Sequence, residues 1–170
     1  MYKRFNIDTL SKYSVRTGTY GYQPKFLTKD SKFFVKEQAR ISGYLKDDWK
    51  SELLACRIAK ILGIPCVEQK PCVIVYSENL KHYGVYSYNF ELENQFFIPF
   101  EYLMQTMNNS FDRNKYIRLA SATEKLEYLV FLMHRTTGIK VTDLRTYMLG
   151  LACLDILCCN TDRHIKNFGV

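Results

Sequence analysis

No run of apolar residues in the 170-residue chain is longer than the six from Tyr128 to Met133, far short of the roughly 18 that a membrane span needs. No transmembrane helix is expected. The opening MYKRFNIDTL carries basic side chains but no apolar block or small-residue cleavage site behind them, so no secretory signal is read there and a cytoplasmic location is the expectation. Glycine and proline are sparse, 8 and 4, and follow no repeat, which sets aside collagen-like, linker-like and solenoid classes. The six cysteines, Cys56, Cys66, Cys72, Cys153, Cys158 and Cys159, include no pair in C-x-x-C spacing, so a zinc site is not expected. Without an export signal there is no oxidising compartment for a disulfide framework. Since most of these cysteines lie in apolar runs, they read as small core residues.

What the chain does have is core material: 47% of its residues are hydrophobic, and 13 Tyr and 11 Phe stand among them. That is too apolar a mix for a solvated disordered chain. The net charge of +7 is uneven, with 11 basic and 5 acidic residues in positions 1–50 against 13 and 12 in the remainder. A basic first third suits phosphates, nucleic acid or an anionic lipid surface. Its lysines are scattered singly rather than clustered, so direct contact with nucleic acid or membrane is not expected.

Along the chain, Lys25 to Thr28 and Lys32 to Gln38 are apolar-aromatic runs separated by Lys29-Asp30-Ser31, which predicts a β-hairpin. Asp47 and Asp48 offer caps for a helix from Trp49 to Leu62, closed by Gly63 with Pro65 beyond it. Its apolar stripe reads as Leu54, Ile58, Ile61 and Leu62. Cys66 to Ser77 and Tyr83 to Phe90 read as strands, with Glu78-Asn79 and Gly84 as breakers. After Pro99 the pattern turns helical over Glu101–Met107, Asn114–Leu119, Thr123–Thr136 and Thr142–Cys158. In the last of these Leu144, Met148, Leu151 and Leu154 form a stripe, with Thr142 as cap. The expected architecture is α+β in two lobes, a β-rich lobe over residues 1–90 and a helical one over 91–170, with a ligand site in the cleft between them.

Chemistry concentrates in Cys159 to Val170, C-N-T-D-R-H-I-K-N-F-G-V, a polar segment directly after an apolar helix. Asp162 and Asn167, five apart on a loop, are hard oxygen donors suited to Mg²⁺ and phosphate chemistry. The residues alone also allow a plainer reading in which Asn160 and Asp162 cap the helix end and the next turn while Arg163 and Lys166 are solvated. His82 and His134 have no partner recognisable in the sequence and read as structural.

The run Asn160-Thr161-Asp162-Arg163-His164-Ile165-Lys166-Asn167-Phe168-Gly169 resembles the catalytic loop of the bacterial HipA-like serine/threonine kinases. Gly21-Tyr22-Gln23-Pro24-Lys25 resembles that family's glycine-bearing nucleotide loop, and Ser51-Glu52-Leu53 through Gly63-Ile64-Pro65 its first helix. The resemblance implies a protein-kinase-like two-lobe fold using ATP and Mg²⁺ to phosphorylate a protein serine or threonine hydroxyl, as a component of a toxin–antitoxin pair. Under it, Asp162 orients or deprotonates the hydroxyl and Asn167 holds Mg²⁺. Lys36 reaches the phosphates as a point charge and pairs with Glu52. Gly18 and Gly21 let a loop lie close over phosphate oxygens. Tyr88 and Phe90, within Ser87-Tyr88-Asn89-Phe90, fall where the interlobe hinge receives adenine through backbone groups. His164 and Lys166 lie in the catalytic loop, within reach of phosphate or substrate, and His164 also suits a bracing hydrogen bond to the backbone.

Taken without the resemblance, Lys36 reads as well as a solvated strand-edge residue. Glu52 lies away from the apolar stripe and reads as well as a solvated first-turn acid stabilised by the helix dipole. The family pattern also places a second metal-binding Asp on a strand after the catalytic loop, and Asp155 sits too early, inside the preceding helix, to replace it. The expectation is therefore a kinase that turns over very slowly by itself, a fragment of a longer product or one half of a split protein whose remaining helical lobe is a separate chain, with an antitoxin as a further partner or self-association through the apolar helix Thr142–Cys158. The rival from another class is a catalytically inactive nucleotide- or partner-binding module on the same fold.

Overall fold

β-Branched and aromatic residues of the first half go into strands, where such side chains pack well on a pleated surface. The computed structural model describes residues 2–12, 23–89, 102 and 112–159, and the chain divides into two compact units, Met1–Gln95 and Phe96–Val170. In the first, six strands form one sheet: β1 (Lys3–Asn6), β2 (Leu10–Lys12), β3 (Lys25–Thr28), β4 (Phe33–Glu37), β7 (Lys70–Val75) and β8 (Lys81–Tyr88), in the order β1-β7-β8-β4-β3-β2. A small ribbon of β5 (Arg40–Ile41) and β6 (Tyr44–Leu45) lies apart from it. β1 runs parallel to β7, and every other neighbouring pair is antiparallel. β1 and β2 occupy opposite ends of the sheet, yet only a 3-10 turn, Ile7–Thr9, joins them. The sheet therefore curls until its two ends approach.

Inside the curl lie Phe5, Leu10, Phe26, Val35, Cys72 and Ile74, with Ile7, Phe33, Tyr76 and Tyr86 packed against them. Phe5, Phe33 and Tyr86 meet edge to face with ring centroids 5.5 to 5.9 Å apart, the arrangement that aromatic quadrupoles favour. The hairpin of β3 and β4 turns at Lys29-Asp30-Ser31. There the Asp30 carboxylate accepts from Thr28 Oγ1 at 2.6 Å and from Lys32 N at 3.2 Å, an Asx-type brace.

The strand expected over Cys66–Ser77 is shorter, because its first residues bond to a helix instead of a neighbouring strand. Cys56 Sγ lies 3.7 Å from Val67 O and 3.4 Å from Gln69 N, and Cys66 Sγ lies 3.9 Å from Cys56 O. Gly84 does not break a strand; it sits inside β8 opposite Glu37. A Cβ there would lie 2.2 Å from Lys36 O, so glycine is what lets β8 approach β4 at that point.

Helix α1 (Asp48–Ile61) packs on β7 and β8. It ends in a Schellman motif, with Gly63 at φ +68° and the Gly63 and Ile64 amides bonded to Lys60 O and Ala59 O at 3.2 and 2.9 Å. The expected caps fail: Asp47 makes no side-chain capping bond but pairs with Lys50, and Asp48 turns to other partners. The buried face is also not the leucine-isoleucine stripe. Trp49, Cys56 and Ala59 face inward, whereas Leu54, Ile61 and Leu62 are exposed. Two small residues let the helix lie close to the sheet, and Trp49 stacks on Tyr83 of β8 with centroids 5.6 Å apart and planes 16° from parallel.

The second unit contains α2 (Arg113–Arg118), α3 (Ala122–Thr137) and α4 (Val141–Leu157). Ser121 and Glu124 form a full capping box at the start of α3, and Gly138 at φ +71° ends it. Leu129, Val130, Leu132 and Met133 of α3 and Leu144, Leu151 and Leu154 of α4 are buried. Arg145 grips Glu127 with two hydrogen bonds of 2.7 and 2.8 Å, joining the two helices. Thr142 is not the cap of α4; the cap is Lys140, without a side-chain bond, and Thr142 Oγ1 donates to Asp143 instead. The helix expected over Glu101–Met107 falls, except for Tyr102, outside the described residues.

Of the six cysteines, Cys56 and Cys72 are buried, Cys158 is half-buried, and Cys66, Cys153 and Cys159 are exposed; none is in a disulfide. Half of them are therefore not core residues: Cys153 falls on an outer position of α4, Cys66 in the loop after α1 and Cys159 in the turn after α4. No helix among the described residues is long and apolar enough to cross a membrane.

Candidate functional site

Alternation along β4 sends Val35 and Glu37 into the curl and Lys36 to the opposite face, the one α1 covers. With Trp49, Cys56 and Ala59 turned inward, Glu52 falls on the same helix stripe at steps of three and four residues. Its carboxylate meets Lys36, with Nζ 3.0 Å from Oε1 and both side chains about one-third exposed, 33% and 31%. The leucine-isoleucine stripe leaves Glu52 readable as a solvated first-turn acid; the observed inward face, with Trp49, Cys56 and Ala59, favours the pairing with Lys36.

A third charge completes the cluster. Lys25 of β3 is the direct register partner of Lys36, so the two side chains rise from the same face, and like charges in that relation repel. Lys25 is held below the usual lysine range, first by burial, then by repulsion from Lys36, with the Glu52 carboxylate opposing both. Among the described residues, two ammoniums and one carboxylate thus share a half-exposed spot. Nothing in the sequence marked Lys25 for this role beyond its place at the end of the glycine-bearing stretch; the strand register reveals it.

Behind β4, inside the curl, Glu37 is buried. It accepts a hydrogen bond from Tyr76 Oη at 2.7 Å and lies against His82 Nδ1. Burial, then the bond to Glu37, holds the Tyr76 phenol well above its usual range. His82 is thus a structural histidine whose partner comes from 45 residues away. His134 Nδ1 lies 2.8 Å from Ile139 O at the end of α3. Burial also pushes the Cys72 thiol up to about 12, which makes it inert.

Tyr88 closes β8 and is 63% exposed, its ring 4.9 Å from that of Phe33. The next residue, Asn89, ties this strand end to the β3–β4 turn through Asn89 N to Lys32 O at 2.8 Å and Asn89 Nδ2 to Ser31 O at 3.0 Å. Gly18, Gly21 and Phe90 lie outside the described residues, as do Asp162, His164, Lys166 and Asn167 of the resembled catalytic loop. Of the expected site residues, Lys36 and Glu52 are the two that the described structure brings together. Their chemistry suits the phosphates of a nucleotide, since partly solvated ammoniums are phosphate partners and the carboxylate keeps one of them in place.

A family model described as the HipA-like C-terminal domain matches residues 17–170. No curated protein matches the sequence. Among solved structures, the crystal structure of a Helicobacter pylori proinflammatory kinase, CtkA, shares the fold with a TM-score of 0.64 at 18% identity. The match covers 99% of this chain and 54% of that one, so the chain spans about half the length of that kinase. The chain belongs to the HipA-like C-terminal domain family and has its kinase-like α+β fold.

Proposed function

We propose that the protein transfers the γ-phosphate of ATP, bound with Mg²⁺, to a serine or threonine hydroxyl of another protein. The observation that carries this reading is the cluster of Lys25, Lys36 and Glu52. Two lysines directly opposed across a sheet cost stability, and among the described residues a single carboxylate, that of Glu52, faces the pair. An anion supplied from solution, such as a triphosphate, relieves that repulsion.

In this reading Lys36 neutralises phosphate oxygens while Glu52 holds it in position, and Lys25 adds a second cation beside it. Gly18 and Gly21 allow the preceding segment to lie over the phosphates, and the backbone around Tyr88 and Phe90 receives the base. Asp162 accepts the proton of the attacking hydroxyl, His164 braces the loop and Lys166 contacts phosphate or substrate. Asn167 supplies an oxygen ligand for Mg²⁺, which when bound offsets charge developing on the phosphates. The HipA-like family suggests a toxin of a toxin–antitoxin pair as the biological setting. An antitoxin or a separate chain is the partner that this setting suggests.

The test is phosphate transfer from γ-labelled ATP with Mg²⁺, comparing the protein with Asp162→Asn. Removal of a general base should lower transfer by about 10²–10⁴-fold. Equal labelling of both proteins would remove Asp162 from the reaction. Nucleotide binding without any transfer would reduce the protein to a nucleotide-binding module.

A further inference from the structure

Asp48, the first residue of α1, was expected to cap its own helix, and its carboxylate instead gathers donors from three segments. Both oxygens face Ala39 N, at 3.2 and 3.1 Å; Oδ1 also accepts from Trp49 N at 3.1 Å, and Oδ2 from Gln23 Nε2 at 2.8 Å. Each of the three segments leads to one member of the charged cluster. Gln23 comes two residues before Lys25, Ala39 three after Lys36, and Asp48 itself lies one helical turn before Glu52 on the same face of α1. A further bond, Glu37 N to Pro24 O at 2.9 Å, knits the chain entering β3 to the chain leaving β4. Ala39 is buried, so an amide left without its carboxylate partner there would have little water to turn to.

We propose that Asp48 is a positioning residue for the cluster. Its carboxylate ties the entry to β3, the exit of β4 and the first turn of α1 together, and so sets where Glu52 stands relative to Lys25 and Lys36. The consequence for nucleotide affinity rests on the reading of that cluster as a phosphate site; the mechanical role does not. The contact with Gln23 has a defined polarity, amide donor against carboxylate acceptor, and this makes it separable from a general contribution of Asp48 to folding.

The test exchanges that polarity. Gln23→Glu sets two carboxylates face to face, and Asp48→Asn added to it restores a donor and an acceptor with the roles reversed. The chain has a single tryptophan, Trp49, next to Asp48 and buried against Tyr83, so acrylamide quenching of its fluorescence reports on the start of α1 without any ligand. Quenching should rise in Gln23→Glu and return towards the wild-type value in the double variant. Equal quenching in all three proteins, or a folded double variant no better than the single one, would overturn the proposal whatever the protein binds. In calorimetry with Mg-ATP, Gln23→Glu should weaken affinity about tenfold, the loss of roughly one charge-assisted hydrogen bond, and the double variant should recover most of it. A wild-type protein that does not bind Mg-ATP would contradict the phosphate reading and leave the quenching result to decide the role of Asp48. Should Gln23→Glu fail to fold, Gln23→Leu removes the donor without adding charge. Its quenching should also rise, and an unchanged value would count against the proposal.

Discussion

In the sheet unit, polar side chains find partners far away in sequence: Lys36 meets Glu52 across 16 residues, Gln23 meets Asp48 across 25, Tyr76 meets Glu37 across 39 and His82 meets Glu37 across 45. Among the described residues of the helical unit, many side-chain bonds close within about one turn. Ser121 and Glu124 cap each other, and Thr136, Thr137 and Thr146 return to the carbonyls of Leu132, Met133 and Thr142. Arg145 on Glu127 is a longer link, across 18 residues. Local bonds state where a helix begins and ends and say little about chemistry. Long-range bonds must overcome the entropy of closing large loops, and in the sheet unit they hold charged groups in fixed mutual positions, which a binding site requires.

Cores can be compared first, since they should give the largest effects. Ile74→Ala in β7 and Leu132→Ala in α3 both truncate side chains under 3% exposed, and each should cost about 2–5 kcal/mol in denaturant unfolding. If the two units unfold separately, hydrogen exchange should quicken only in the unit that carries the change. Uniform quickening in both would erase the distinction drawn between them.

Gly84→Ala should come next. The added methyl meets Lys36 O at 2.2 Å, and overpacking of this kind costs about 1–3 kcal/mol. Exchange should rise along β4 and β8 while α3 and α4 keep their protection. An unchanged sheet would mean that β8 does not need its close approach at Lys36.

Acidification sharpens the comparison with smaller effects. In the sheet unit Asp30 is held below its ordinary value first by the Thr28 hydroxyl, and Glu68 first by Lys60. In the helical unit Glu124 is held down first by the Ser121 amide and Glu127 first by Arg145. Because these values are lowered on folding, the unfolded chain binds more protons in acid. Their stabilisation is complete above the ordinary carboxylate values of 3.8 and 4.5 and is lost as pH falls through the lowered ones. Added salt should weaken the contributions of Glu68 and Glu127, which face exposed cations, and leave that of Glu124, which faces backbone. Acid denaturation followed at low and high salt checks this; a salt-independent profile would contradict it.

Legibility in the sequence followed the same division. α3 and α4 are readable to within a residue or so because the spacing of their apolar residues is a local signal. The β3–β4 hairpin was readable because Asp30 braces its turn with neighbours. β1 and β2 were not: Lys3-Arg4-Phe5-Asn6 buries one side chain of four, and what makes it a strand is β7, some 70 residues on. The orientation of α1 was misread because its buried face is made of Trp49, Cys56 and Ala59, while larger aliphatic residues stay outside. The helical pattern alone therefore leaves Glu52 equally readable as solvated; the resemblance pairs it with Lys36, and the observed packing brings the two together. Lys25 and Asp48 carry no motif that announces their roles; register and tertiary hydrogen bonds do. The ten consecutive positions 160–169 that carry the resemblance to a catalytic loop lie outside the described residues.

The claim on which the functional reading depends is that Lys25, Lys36 and Glu52 together receive the phosphates of a nucleotide. Calorimetric titration of Mg-ATP into the wild-type protein, Lys36→Met and Glu52→Gln tests it most directly. Binding should be present in the wild type, nearly abolished in Lys36→Met and about tenfold weaker in Glu52→Gln. The stability of Glu52→Gln should change by less than about 1 kcal/mol, as for a partly exposed ion pair. Equal affinities in all three proteins, or no binding by the wild type at millimolar nucleotide, would contradict it.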